Sequence, residues 1–99
     1  MERRRSRMGM TLEKIGEPAM LEQLAEECME LGKAALKKAR VIRGENPTPV
    51  TAEKADKDLA EETTDVLICL DELGLKNDPE ITREKRERFQ KRWEESHER

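Results

Sequence analysis

Met20-Leu21-Glu22-Gln23-Leu24-Ala25-Glu26-Glu27-Cys28-Met29-Glu30-Leu31-Gly32-Lys33-Ala34 is the stretch that decides how this chain folds. Within it Met20, Leu24, Glu27, Leu31 and Ala34 recur with 4-3-4-3 spacing, which lines up one face of an α-helix. A second stretch repeats the pattern at Ala55, Leu59, Glu62, Val66, Cys69 and Leu73. Each seam is apolar except for one glutamate. Each of these glutamates has a second acid three residues on, Glu30 and Asp65, about 60° around the same side of the helix.

The boundaries follow from local chemistry. The first helix is expected over residues 18–42, with Pro18 in its first turn, Glu17 and Glu22 at its positive end, and Gly44 stopping it. A short turn over residues 11–15 precedes it and packs back on it. Two prolines in three residues, Pro47 and Pro49, make a loop. The second helix runs from an N-cap at Thr51 to Leu73, with Gly74 beyond its end. Asp78 as N-cap and Pro79 as first residue start a third helix that runs to about residue 97. No segment alternates with period two. The expected fold is all-α: an antiparallel bundle of three main helices, completed by oligomerisation into a four-helix-type core.

Composition explains why a partner is expected. Charged residues make up 43% of the 99 residues and hydrophobic ones 34%, and Leu, Ile, Val and Phe number only 18. One domain is all this length allows, and its own core is thin. Disulfides and zinc clusters are not available to staple it, so self-association is the remaining remedy. Cys28 and Cys69 lie in apolar helical contexts and are expected to be reduced and buried, which points to the cytoplasm. Residues 1–10 read as a disordered basic segment and residues 11–99 as the single helical domain. Residues 1–7 lack the apolar run of a secretory signal, and no stretch is apolar enough to span a bilayer. A lone histidine, His97, leaves no basis for a Ser-His-Asp nucleophile or a histidine zinc site.

With 18 glutamates in the chain, an E-E-x-x-E string arises by chance about 0.6 times. The strings alone therefore decide little, and the interruption of both seams decides more. An unpaired buried carboxylate costs several kcal/mol or stays protonated. Several of them facing one another repel. A hard divalent cation relieves both problems, and an all-carboxylate ligand set selects Mg2+ or Mn2+ over Zn2+.

Glu26-Glu27-Cys28-Met29-Glu30 followed by Glu62-Thr63-Thr64-Asp65 resembles the E-E-x-x-E…E-x-x-D signature of the all-α nucleoside triphosphate pyrophosphohydrolases, the MazG-like superfamily. The similarity extends upstream to residues 15–20, downstream through residues 67–73, and on to the basic residues of the last helix, about residues 12–93 in all. The resemblance implies a helical bundle assembled as a homodimer or homotetramer. It also implies Mg2+-dependent cleavage of a nucleoside triphosphate between its α- and β-phosphates. By motif position Glu27, Glu30, Glu62 and Asp65 would be metal ligands, and Glu26 would orient or deprotonate the attacking water. Lys85 and Arg92 match the basic positions that help hold phosphates, and Arg88 shares their helix face. The chain departs from the pattern at Phe89, where many relatives carry asparagine, and at Pro18.

Two other readings remain open at this level. In one, the chain is a non-catalytic helical interaction module whose seam glutamates pair with Lys or Arg to fix partner choice. In the other, Arg3, Arg4, Arg5, Arg7 and the last helix bind nucleic acid, against which stand a net charge of -3 and only one Phe and one Trp. Partners are therefore expected to be a nucleotide and a second copy of the chain, not nucleic acid or membrane.

Overall fold

A computed structural model of the chain describes residues 10–45 and 50–97. Four helices follow one another: α1 (Met10–Ile15), α2 (Glu17–Arg43), α3 (Ala52–Leu73) and α4 (Pro79–His97). No strand occurs among the described residues. The basic segment expected over residues 1–10 lies outside them except for Met10, which belongs to α1 and not to a disordered end. The two-proline loop at residues 46–49 also lies outside.

Each break has a local cause. Gly16 alone separates α1 from α2, and its φ of 87° is a value that side-chain-bearing residues rarely adopt. Gly44 and Gly74 end α2 and α3 in the left-handed region, at φ 70° and 69°. At the end of α3 the N–H of Gly74 donates to Asp71 O at 3.0 Å and the N–H of Leu75 to Leu70 O at 2.9 Å, satisfying carbonyls that the helix leaves open. Thr51 Oγ1 accepts from the N–H of Lys54 at 3.0 Å and caps α3 as its sequence position predicts. Asp78 Oδ1 accepts from the N–H groups of Glu80 and Ile81 and caps α4.

α2 and α3 form an antiparallel hairpin, and the core lies between them. Met20 and Ala34 on α2 and Ala55, Val66 and Cys69 on α3 are the buried apolar residues, all of them seam positions. Leu24, Leu31, Leu59 and Leu73 are half-buried along the same lines. Near the hairpin tip the Lys38 ammonium meets the Asp56 carboxylate across the two helices. Near the other end Glu72 Oε1 accepts from the N–H groups of Thr11 and Leu12 at 2.8 and 3.0 Å, which fastens α1 to α3. This contact supplies an acceptor for two of the donors that a helix start otherwise leaves unpaired.

The third main helix stands clear of this hairpin. α4 has no buried residue and no extended contact with the other helices. Phe89 and Trp93 are 61% and 60% exposed. The radius of gyration is 17.7 Å, whereas a compact chain of this length has about 13 Å. Cys69 is buried as expected. Cys28 is exposed, because its position on α2 falls about 100° from Glu27 and hence outside the seam. No described helix is long and apolar enough to cross a membrane.

Candidate metal centre

The two seam glutamates meet. Glu27 on α2 and Glu62 on α3 sit half-buried at the hairpin interface, and Asp65 joins them from the next turn of α3. One carboxylate oxygen from each of the three lies within 4.8 Å of the others. The antiparallel register makes this possible, since it sets the middle of α2 against the middle of α3.

The electrostatics are those of crowded like charges. Loss of hydration pushes the Glu62 carboxyl above its ordinary range, and the charges of Asp65, Glu27, Glu30 and Glu61 push it the same way. Among the described residues no lysine or arginine lies within 4 Å of Glu27, Glu62 or Asp65. Burial also raises the thiol of Cys69, and the nearby charges of Glu27 and Asp65 reinforce the shift. That thiol is therefore inert.

Other residues expected at the site are placed differently. Glu30 is exposed, and its carboxylate turns to the Lys33 ammonium at 3.4 Å. It is not gathered with the three, although its charge still reaches Glu62. Asp65 has the same three-residue offset from its seam glutamate and is gathered, so the difference lies with Lys33, which draws the Glu30 carboxylate away. Glu26 is also exposed, one turn from Glu30 on the same flank. Lys85, Arg88 and Arg92 are exposed on α4 and are not brought to the carboxylates. Glu61 adds to the charge around Glu62. Its signal in the sequence is a doublet, since Glu61-Glu62 with Asp65 repeats on α3 the arrangement of Glu26-Glu27 with Glu30 on α2.

Chemically the cluster suits a hard cation. It offers only carboxylate oxygens and has no counter-charge among the described residues. Adjacent oxygens around a Mg2+ ion are ~3 Å apart, so the three side chains, now within 4.8 Å of one another, would draw closer to bind one. The fold and site thus define an all-α helical hairpin that holds acidic groups across its seam. No family model, curated protein or solved structure matches the chain.

Proposed function

We propose that this protein is a Mg2+-dependent nucleotide pyrophosphohydrolase, with Mn2+ able to substitute. It cleaves a ribo- or deoxyribonucleoside triphosphate between the α- and β-phosphates to the monophosphate and pyrophosphate. One observation carries the reading: three carboxylates converge on the helix interface with no basic side chain among the described residues to neutralise them. The motif order of the sequence supports it.

In this reading Glu27, Glu62 and Asp65 would hold the cation, and Glu30, now paired with Lys33, would be the fourth ligand. Mg2+ there would supply neutralisation of phosphate charge and a lower pKa for the attacking water. Glu26, exposed beside the cluster, accepts the proton of the water that attacks the α-phosphorus. Lys85, Arg88 and Arg92 hold the charge of the leaving pyrophosphate, the main requirement of phosphoryl transfer. The apolar side chains left exposed on the hairpin, Leu21, Met29 and Leu67 among them, are covered in a homodimer or homotetramer that completes a four-helix core. Two reduced thiols fit a cytoplasmic setting.

The test is a panel of ribo- and deoxyribonucleoside triphosphates assayed for pyrophosphate release with Mg2+. Turnover that vanishes in Glu62→Gln, with helical content unchanged, is the expected result. Absence of turnover on every triphosphate, together with a Glu62→Leu variant more stable than the parent and indifferent to Mg2+, would identify an interaction module instead.

A further inference from the structure

α4 separates its charges around its circumference. At about 100° per residue, Lys85, Arg86, Arg92 and Trp93 all fall within about 60° of Phe89. The glutamates of the helix, Glu80, Glu84, Glu87, Glu94 and Glu95, fall about 120° or more away. Asp78 lies at the head of the aromatic line, but its Oδ1 is turned to the N–H groups of Glu80 and Ile81. Arg88 stands at the margin, in a groove on the acidic side that it shares with Glu84, Glu87 and Lys91. The ion pairs follow the same division. Arg83, on the acidic side, meets Glu80 and Glu87, whereas Lys85, Arg86 and Arg92 have no carboxylate within 4 Å among the described residues.

The two aromatic rings on the basic side are positioned but not packed away. Phe89 and Trp93 are exposed and one turn apart. The Arg92 guanidinium lies over the Phe89 ring, 5.2 Å from its centre, which sets a cation beside that ring. The Trp93 indole is braced on one side by the His97 imidazole, with ring centres 4.0 Å apart and planes 19° from parallel. The carbonyl of Trp93 accepts from His97 Nδ1 at 2.8 Å and keeps the imidazole there. The other side of the indole is open to solvent. Because α4 has no extended contact with the hairpin, none of the described residues covers this face.

We infer that this face of α4 binds single-stranded nucleic acid, with bases stacked on Trp93 and Phe89 and the phosphates beside them met by Lys85, Arg86 and Arg92. A flat, open ring takes the face of any base, and cations on both flanks of the ring line suit a backbone with one charge per nucleotide. The net charge of -3, which spoke against nucleic acid, averages over a separation that only the helix shows. An anionic bilayer is the poorer match. Only Ile81, Phe89 and Trp93 are apolar on that side, and Lys85 and Arg92 interrupt them, where an interfacial helix needs a continuous apolar face. A duplex hides the base faces that the rings would meet. This binding does not rest on the hydrolase reading, although Lys85 and Arg92 serve in both.

Trp93 is the chain's single tryptophan and reports on the face directly. The full chain is titrated at low salt, with EDTA in place of Mg2+, with an oligothymidylate of about ten nucleotides, within the span such platforms cover. Quenching of the Trp93 emission is the expected result. Binding is followed separately by the anisotropy of a labelled oligothymidylate, and the logarithm of its affinity falls against that of salt with a slope of about -2, the share of three phosphates. Trp93→Ala weakens binding by a factor of about 5–150. Arg86→Ala lowers the affinity and reduces the slope by about 0.7. Arg83→Ala removes the same charge from the acidic side and leaves both as they are. Helical content by circular dichroism stays unchanged in all three variants, since none of these side chains is packed. Absence of quenching, or equal losses from Arg86→Ala and Arg83→Ala, overturns the inference. So does equal binding of the matching duplex, or equal quenching by thymidine monophosphate at the same nucleotide concentration. A blue shift of Trp93 on phosphatidylserine vesicles, without quenching by the oligothymidylate, points to a membrane surface and overturns it too. With neither Mg2+ nor a triphosphate present, the outcome is independent of turnover. Hydrolysis without quenching ends this inference alone, and quenching without hydrolysis ends the hydrolase reading alone.

Discussion

At the scale of single residues, Glu62 makes a distinct contribution to the protein's response to pH. Its carboxyl is held above the ordinary glutamate range by desolvation and by four neighbouring acids. A group raised on folding stabilises the native state below its unfolded pKa, and that contribution is lost as pH rises through the folded pKa. The contribution of Glu62 to the metal-free protein is therefore greatest below the ordinary glutamate range, while Asp58, held down by its hydrogen bond to Lys54, contributes in the opposite sense. Glu62→Gln flattens this part of the profile. Mg2+ acts in the opposite sense, because only ionised carboxylates bind it, so its stabilisation grows with pH over the same window. An ion present at about 100 times its dissociation constant adds about 2.7 kcal/mol. Calorimetric melts at several pH values, with and without Mg2+, check both trends. A parent and a Glu62→Gln variant with identical profiles would contradict this account.

At the scale of elements, caps and glycines carry the boundaries. Thr51→Ala removes the oxygen that accepts from Lys54 and is expected to cost about 1 kcal/mol, a fall of about 4–8 °C in melting temperature for a domain of this size. Gly74→Ala meets no steric neighbour, yet its φ of 69° penalises any side chain. A loss of about 1–2 kcal/mol follows from the backbone alone. Thermal melts of the two single variants measure these costs. These boundaries were legible because caps act on neighbours in sequence: Gly44, Thr51, Gly74 and Asp78 each do what their position implies. The seams were legible for a related reason, since helical periodicity converts residue number directly into direction. Met20, Ala34, Ala55, Val66 and Cys69 are buried on the lines the spacing drew. Cys28 shows the limit of reading by context, because apolar neighbours in sequence do not bury a residue that points off the seam.

At the scale of the whole molecule, the hairpin core is narrow and tightly closed. Ala55 is 1% exposed, and its small side chain fills the available space. Ala55→Leu is expected to destabilise the hairpin by about 1–3 kcal/mol, since added methylenes force side chains and backbone apart. A urea denaturation midpoint measures it. The same narrow core leaves Leu36, Ile42, Phe89 and Trp93 at the surface, each 60% exposed or more, which is the physical case for a partner.

The sequence by itself determined the helices, their ends, the two apolar seams and the pair of glutamates that interrupt them. All of these depend on residues within a turn or two of one another, where covalent connection fixes the geometry. Only the tertiary structure decided which acids meet. The antiparallel register joins Glu27 to Glu62 and Asp65, while Glu30 leans to Lys33. It alone showed that α4 leaves its own hairpin, because the direction of a capped connection and the surface it reaches depend on how distant segments lie in space.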